Sequence, residues 1–179
     1  LHLLRARHLA RSRVHQYSGA FRFLYGRVLG VDGQTFQIPL APAPQRLPEI
    51  LSRQELACLF AAACHLKART FLMLAYGSGL RLSELCRLRA EHIDSHADRM
   101  CIRVEQGKGG KDRYVPLSED VLPLLRTWWR AHHHGPWLFA GLRDPSRPID
   151  TGSAQRWYYL ARDAAGITKR GGIHSLRHA

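Results

Sequence analysis

Three short stretches of this sequence gather side chains that can meet an oxyanion. The first is Leu80-Arg81-Leu82-Ser83-Glu84-Leu85, directly after the break Gly77-Ser78-Gly79; the second is Gly107-Lys108-Gly109-Gly110-Lys111-Asp112-Arg113; the third is His174-Ser175-Leu176-Arg177-His178. A guanidinium offers fixed, planar donors that suit two oxygens of one anion, and it never deprotonates. A lysine is a movable point charge whose pKa falls when other cations crowd it. Imidazole can donate a hydrogen bond or take a proton near neutral pH. His174 and Arg177 are three residues apart, so a helix presents both on one face. The glycine loop is not a nucleotide-phosphate loop, because the GxxxxGK[ST] spacing is absent and the loop lies between two strand signals. Each residue also has a plainer reading taken singly. An arginine at a helix start is most often a solvated charge, Gly107-Lys108-Gly109 reads equally as an ordinary turn, and His174 as a satisfied helix-end histidine. Lys111 competes with Lys108, and His178 is left open.

The elements that must carry these residues follow from local signals. Ser52-Arg53-Gln54-Glu55 is a capping box, with Leu56, Leu59, Phe60 and Ala63 on one face of the helix that it starts. A second helix is expected from about Lys67 to Tyr76, burying Phe71, Leu72 and Leu74, and Arg81 then falls where another helix begins. Met100 to Val104 and Arg113 to Leu117 are strand-forming runs with glycines between them, which predicts a hairpin with Lys108 in its loop. Ser118 is the expected cap of a helix carrying Val121, Leu124, Leu125, Trp128 and Trp129, in which Pro123 removes one hydrogen bond. Trp137 to Phe139 reads as a short strand, and a helix is expected from about Thr151 to Ala165. Before residue 30, Leu9, Val14, Tyr17, Phe21, Leu24, Tyr25 and Val28 fall at helical spacing, ended by Gly30. The four prolines of residues 38–48 make an extended connector. The fold class expected is mainly α with a small antiparallel β-sheet, α+β, with domains at 1–37 and 49–179 joined by the linker 38–48.

Composition narrows the partner. Twenty-seven Lys and Arg against fourteen Asp and Glu give a net charge of +13, which calls for a polyanion such as nucleic acid. The longest apolar run, Leu56 to Cys64, is too short to span a bilayer, and no basic amphipathic helix stands apart. Cys58, Cys64, Cys86 and Cys101 form no CxxC pair and sit among apolar neighbours, so they are expected as reduced, packed thiols in a cytoplasmic protein. His132-His133-His134 is read as a helix-end surface patch, because adjacent side chains on a helix diverge and no carboxylate or cysteine cluster joins them. Trp128, Trp129, Trp157, Tyr158 and Tyr159, at helical spacing, are read as core and interface residues rather than a base-stacking platform. No metal and no cofactor are expected.

The three motifs, in this order and at these distances, resemble the signatures of the tyrosine recombinases of the phage-integrase family. The resemblance extends over everything after about residue 46. It implies the DNA breaking-rejoining catalytic fold for 49–179, incomplete at its C-terminal end, and makes 1–37 similar to the end of the family's helical core-binding domain. Carried over by residue, it makes Arg81 and Arg177 the two active-site arginines, Lys108 the hairpin lysine and His174 the first active-site histidine. Those assignments have a physical sense. Attack on a phosphodiester builds charge on the non-bridging oxygens, which two guanidinium groups can meet without a metal. Lys108 would protonate the leaving 5′ oxygen, and His174 would bond the phosphate or take the nucleophile's proton. Lys111, Arg113 and Arg87, in and beside the same motifs, are candidate DNA contacts.

The implied reaction is site-specific cleavage and rejoining of double-stranded DNA through a 3′-phosphotyrosyl link, which stores bond energy for recombination or integration without ATP. The family's working assembly is a tetramer on two duplexes. The family places its nucleophilic tyrosine a few dozen residues past the His-x-x-Arg motif. Tyr17, Tyr25, Tyr76, Tyr114, Tyr158 and Tyr159 all precede that motif and receive no such role. Because the sequence opens on Leu1 and stops at Ala179, both ends are read as cuts, and the piece alone is expected to be a monomer that does not cleave DNA. Two other readings stand beside this one: a non-catalytic DNA-binding remnant, and a type IB topoisomerase, which uses a similar set of Arg, Lys, His and Tyr.

Overall fold

The apolar spacing before residue 30 forms helix α1 (Arg11–Phe23), which widens into a π-helical turn over Leu24–Val28. Leu29 N–H reaches the Leu24 carbonyl at 2.9 Å. Sequence spacing predicts one regular helix here; the wide turn contains Gly26, which holds an α-helix poorly. Gly30 then takes φ +66° and ends the segment. The computed structural model describes residues 11–31, 49–105, 111–132, 135–177 and 179, and the chain divides into two units, Leu1–Leu47 and Pro48–Ala179. The connector expected over 38–48 lies outside the described residues.

In the second unit the capping box forms as its sequence predicts. Ser52 Oγ accepts from Glu55 N–H at 3.2 Å, Glu55 Oε2 accepts from Ser52 N–H at 2.6 Å, and helix α2 (Arg53–Ala61) follows. Helix α3 (Leu66–Ser78) starts slightly earlier than the expected Lys67, because His65 caps it through Nδ1, which accepts from Ala68 N–H at 3.0 Å. Ala68, Thr70, Phe71, Leu72, Leu74, Ala75 and Ser78 are all buried, so α3 is covered on several faces and forms the axis of the core. Gly79, at φ +58°, terminates it in a left-handed turn, and the short helix α4 (Leu82–Cys86) starts after Arg81.

A three-stranded antiparallel sheet follows, in the order β1 (Ile93–Asp94), β2 (Cys101–Val104), β3 (Arg113–Pro116). Ile102 pairs with Ile93 on one side and Val115 on the other. Ile102 and Val104 point inward and Arg103 outward, the two-residue period of a half-buried strand. β2 and β3 are the expected hairpin arms; β1, two residues long, has no periodicity to read. Helix α5 (Leu122–His132) begins at Leu122, with Leu125 N–H bonded to the Val121 carbonyl at 3.0 Å. Pro123 therefore lies in the first turn, where its missing N–H had no partner to lose, and the predicted cost does not arise. Trp137 to Phe139 is no strand: Trp137 makes an isolated bridge to Arg89, and Leu138 N–H bonds the Leu88 carbonyl.

Helix α6 (Thr151–Ala164) is capped by Asp150, whose Oδ1 accepts from Ser153 N–H at 2.8 Å. After it Lys169 Nζ reaches Glu55 Oε2 at 2.6 Å and the Ile50 carbonyl at 2.9 Å, fastening the last stretch to the start of α2. That stretch ends in a 3-10 helix, Ile173–Arg177. The thiols depart from expectation in part: Cys86 is buried, but Cys58 and Cys64 are exposed, since they fall on the outer side of α2 and just beyond its end. Burial lifts the Cys86 thiol to about 12, which leaves it inert at neutral pH. His132 stacks on Trp128 at 4.1 Å, and the other two histidines of that run lie outside the described residues. Trp128, Trp157 and Tyr158 are core residues, as their spacing suggests.

Phe71 meets Phe139 and Trp157 edge-on at 4.9 and 5.7 Å and is fully buried. Phe71→Ala is expected to cost about 3–5 kcal/mol of unfolding free energy, measured by urea titration, against under ~0.5 kcal/mol for a change at exposed Arg156.

Candidate active site

Arg81 stands at the cap position of α4 in extended conformation, φ −69° and ψ 149°. Glu84, one turn on, fixes it twice: Arg81 N–H donates to Glu84 Oε2 at 2.8 Å, and Arg81 Nη1 donates to Oε1 at 2.9 Å. The same carboxylate receives both terminal nitrogens of Arg113 from β3, at 2.9 and 2.7 Å. Arg113, expected as a DNA contact, is thus held in a bidentate pair. The Glu84 side chain is 11% exposed and that of Arg81 38%. One edge of Arg81 is anchored; much of the rest faces outward.

The other half of the site comes from the far end of the chain. Ile173, Ser175 and Leu176 are buried, which turns His174 and Arg177 outward. Ser175 Oγ donates to the Gly172 carbonyl at 2.7 Å and lies 3.1 Å from Tyr158 Oη on α6, so the 3-10 turn is pinned from beneath. In a 3-10 helix residues three apart eclipse, so His174 and Arg177 align more closely than the α-helical reading implies. Gly172 makes room, since a Cβ there would lie 3.2 Å from His174 Nδ1, whereas one on Gly79 would meet Arg177 Cγ at an ordinary 3.7 Å.

Arg81, His174 and Arg177 line one pocket of about 180 Å³, with Ala75, Leu80, Leu82, Leu85 and Ile173 as its apolar walls. Neither His174 nor Arg177 has a side-chain partner among the described residues. Two cations and an imidazole therefore converge on a space that holds no counter-charge of its own except Glu84 behind Arg81. Of the other predicted residues, Lys111 is exposed at the foot of β3. Arg87 is exposed at the end of α4 and lines a separate cleft. Lys108 and His178 lie outside the described residues.

A model of the phage integrase family matches residues 49–179. The chain belongs to that family. An integrase/recombinase of Sinorhizobium fredii is 38% identical over 180 residues, covering 100% of this chain and 58% of the relative. Tyrosine recombinase XerA of Pyrococcus horikoshii is 29% identical over 156 residues, covering 87% of this chain and 54% of that protein. The chain thus spans little more than half the length of these two relatives. Among solved structures, XerA recombinase matches with a TM-score of 0.63 at 23% identity, over 99% of this chain and 62% of that one. A lambda integrase tetramer bound to a Holliday junction matches with a TM-score of 0.69 at 24% identity, over 94% of this chain and 50% of that one. The expected fold, mainly helical with a small antiparallel sheet, is the fold of these integrases.

In this phage-integrase chain the residue that sequence reading passed over is Glu84. Its signal was present, since an acidic residue three positions after a helix cap is half of a capping box. Nothing local announces that Arg113, twenty-nine positions away, shares it. Burial alone would push the Glu84 carboxyl upward, but hydrogen bonds from Arg113, the Arg81 backbone and the Arg81 guanidinium outweigh it and hold the pKa at about 2. The folded pKa is thus below the ordinary carboxylate value of 4.5. Its stabilisation is complete above the unfolded value and is lost as pH falls from about 4.5 toward 2. Urea midpoints measured across that window should fall with pH in the wild type and fall less steeply in Glu84→Gln; parallel slopes would separate Glu84 from the acid transition.

Proposed function

We propose that this chain is the DNA-cleaving part of a site-specific recombinase, breaking and rejoining duplex DNA through a 3′-phosphotyrosyl intermediate. The observation that carries the reading is the shared pocket of Arg81, His174 and Arg177, drawn from positions nearly a hundred residues apart, two of them without partners. In this reading both guanidinium groups bind the non-bridging oxygens of the scissile phosphate and neutralise the charge that builds there as the phosphorus becomes five-coordinate. A tyrosine hydroxyl attacks phosphorus, the P–O bond to tyrosine forms, and the bond to the 5′ oxygen breaks. Lys108 gives its proton to that leaving oxygen, with Lys111 as its nearest rival, and His174 hydrogen-bonds the phosphate or takes the tyrosine's proton. The net charge of +13 supplies long-range attraction to the duplex. Arg87 and Lys111, both exposed, are candidate backbone contacts.

The same reading takes residues 1–37 as the end of a core-binding domain and 38–48 as the linker, and it gives the whole protein a cytoplasmic location with its substrate. By analogy with the lambda integrase tetramer on a Holliday junction, the working assembly is a tetramer on paired DNA sites.

Because the relatives are longer than this chain, the tests use the protein from its full reading frame. Arg81→Ala or Arg177→Ala should lower strand cleavage by at least ~10³-fold while changing duplex affinity by less than about tenfold, since affinity is spread over many phosphates. Covalent adduct formation in a denaturing gel and a binding titration at fixed salt measure the two; wild-type cleavage by either variant would remove that arginine from the site. Lys108→Ala should regain cleavage on a 5′-bridging phosphorothiolate, whose thiolate leaves without a proton. Rescue of Lys111→Ala instead would move the acid to Lys111.

A further inference from the structure

The core contains one hydroxyl that packing does not require. Tyr158 on α6 is 1% exposed and belongs to the apolar cluster. Phenylalanine would fill almost the same space with no polar atom to satisfy, so the phenol is there for its oxygen. That oxygen lies 3.1 Å from Ser175 Oγ, on a residue that is itself buried. The direction of the bond follows from counting protons. Ser175 Oγ has a single proton, and it is given to the Gly172 carbonyl at 2.7 Å. Tyr158 Oη therefore donates and Ser175 Oγ accepts, which makes a relay from α6 through Ser175 to the backbone of the turn. The two bonds differ in reach. Ser175 N–H also donates to the Gly172 carbonyl, at 2.9 Å, so both contacts between Ser175 and Gly172 are local and fix the internal shape of the turn. They would survive a rotation of the turn as a body. Ile173 and Leu176 hold it to the core by apolar burial, which has no preferred direction. Among the described residues, the bond from Tyr158 is the one side-chain hydrogen bond that joins Ile173–Arg177 to another element.

We propose that Tyr158, acting through Ser175, is a positioning residue for His174 and Arg177. These two leave the turn one residue before and two residues after Ser175, so a small rotation about the axis of the turn swings both across the pocket that they share with Arg81. Arg81 has Glu84 to orient it. His174 and Arg177 have no side-chain partner among the described residues, and the orientation of the turn is what aims them. Tyr158 sets that orientation because its bond is directional and comes from a different helix. The catalytic weight of this aim rests on the recombinase reading, while the positioning itself does not.

The test separates the two. In the protein from its full reading frame, Tyr158→Phe removes one oxygen and keeps the ring, Ser175→Ala removes the relay, and a third variant combines them. Single-turnover cleavage at saturating duplex should fall at least ~10-fold in each single variant, since about 1 Å of misplacement costs on the order of 10²-fold. Duplex affinity should stay within about twofold of wild type, because it is spread over many phosphates. The double variant should be no slower than Ser175→Ala alone, as the phenol acts through the serine. Nuclear magnetic resonance reads the position without the chemistry. In Tyr158→Phe the ring signals of His174 and the Nε signal of Arg177 should shift and respond to inorganic phosphate with a raised Kd, while the Arg81 signal before phosphate is added and the amide protection of α3 stay at wild-type values. A general loss of packing would move those last two as well. That result, additive effects in the double variant, wild-type His174 and Arg177 signals in Tyr158→Phe, or cleavage by Tyr158→Phe at the wild-type rate would overturn the proposal. Displaced His174 and Arg177 signals in Tyr158→Phe, together with a wild type that forms no covalent adduct on duplex DNA, would keep Tyr158 as the positioning residue and remove the recombinase reading.

Discussion

A guanidinium has donors on every edge and no acceptor, so one that must be aimed into a pocket needs an anion behind it. In this protein that anion is Glu84. Its carboxylate takes two hydrogen bonds from Arg81 and two from Arg113, which ties the start of helix α4 to strand β3. The arginine after the helix break and the start of strand β3 are set against each other through this one group. A largely buried carboxylate with a single partner would be costly to keep ionised; four donors make the ionised form the stable one. The arrangement leaves the outer edge of Arg81 open toward the pocket that it shares with His174 and Arg177.

The second constraint is the axis, α3. Its burial sets where the chain emerges at Gly79, and the left-handed turn there brings Arg81 and the side chain of Arg177 onto the same end of the helix. Local hydrogen bonds do the rest. Ser175, caught between Gly172 and Tyr158, holds the 3-10 turn in the one orientation that sends its apolar residues inward and its imidazole and guanidinium outward. A polar residue buried here is a positional device, since an alanine would leave the buried Tyr158 hydroxyl without this partner and would not fix the rotation of the turn.

Much of this was legible in the sequence where the signal is local. The capping box at Ser52 and Glu55, the two hairpin arms, helix α6 and the motif residues themselves follow from spacing over fewer than ten positions. What escaped is non-local or too short. Strand β1 has two residues and no period. His65 caps α3 through a ring nitrogen, a use that residue type does not advertise. Pro123 looked costly until the helix proved to start one residue before it. The exposed Cys58 and Cys64 sit in an apolar stretch, but Cys58 falls on the outer side of α2 and Cys64 beyond the end of that helix. Arg113 read as one more cation for DNA, because nothing within its own motif reveals that Glu84 claims both of its terminal nitrogens.

The central claim is that Arg81, His174 and Arg177 form a single receptor for one tetrahedral oxyanion. A direct measurement is a titration of the isotope-labelled protein with inorganic vanadate or phosphate, following the side-chain Nε signals of both arginines and the ring signals of His174 by nuclear magnetic resonance. The account predicts that all three move together along one saturation curve with a common Kd, and that Arg177→Ala weakens the response of Arg81. Three unrelated curves, or an Arg81 response untouched by loss of Arg177, would contradict it.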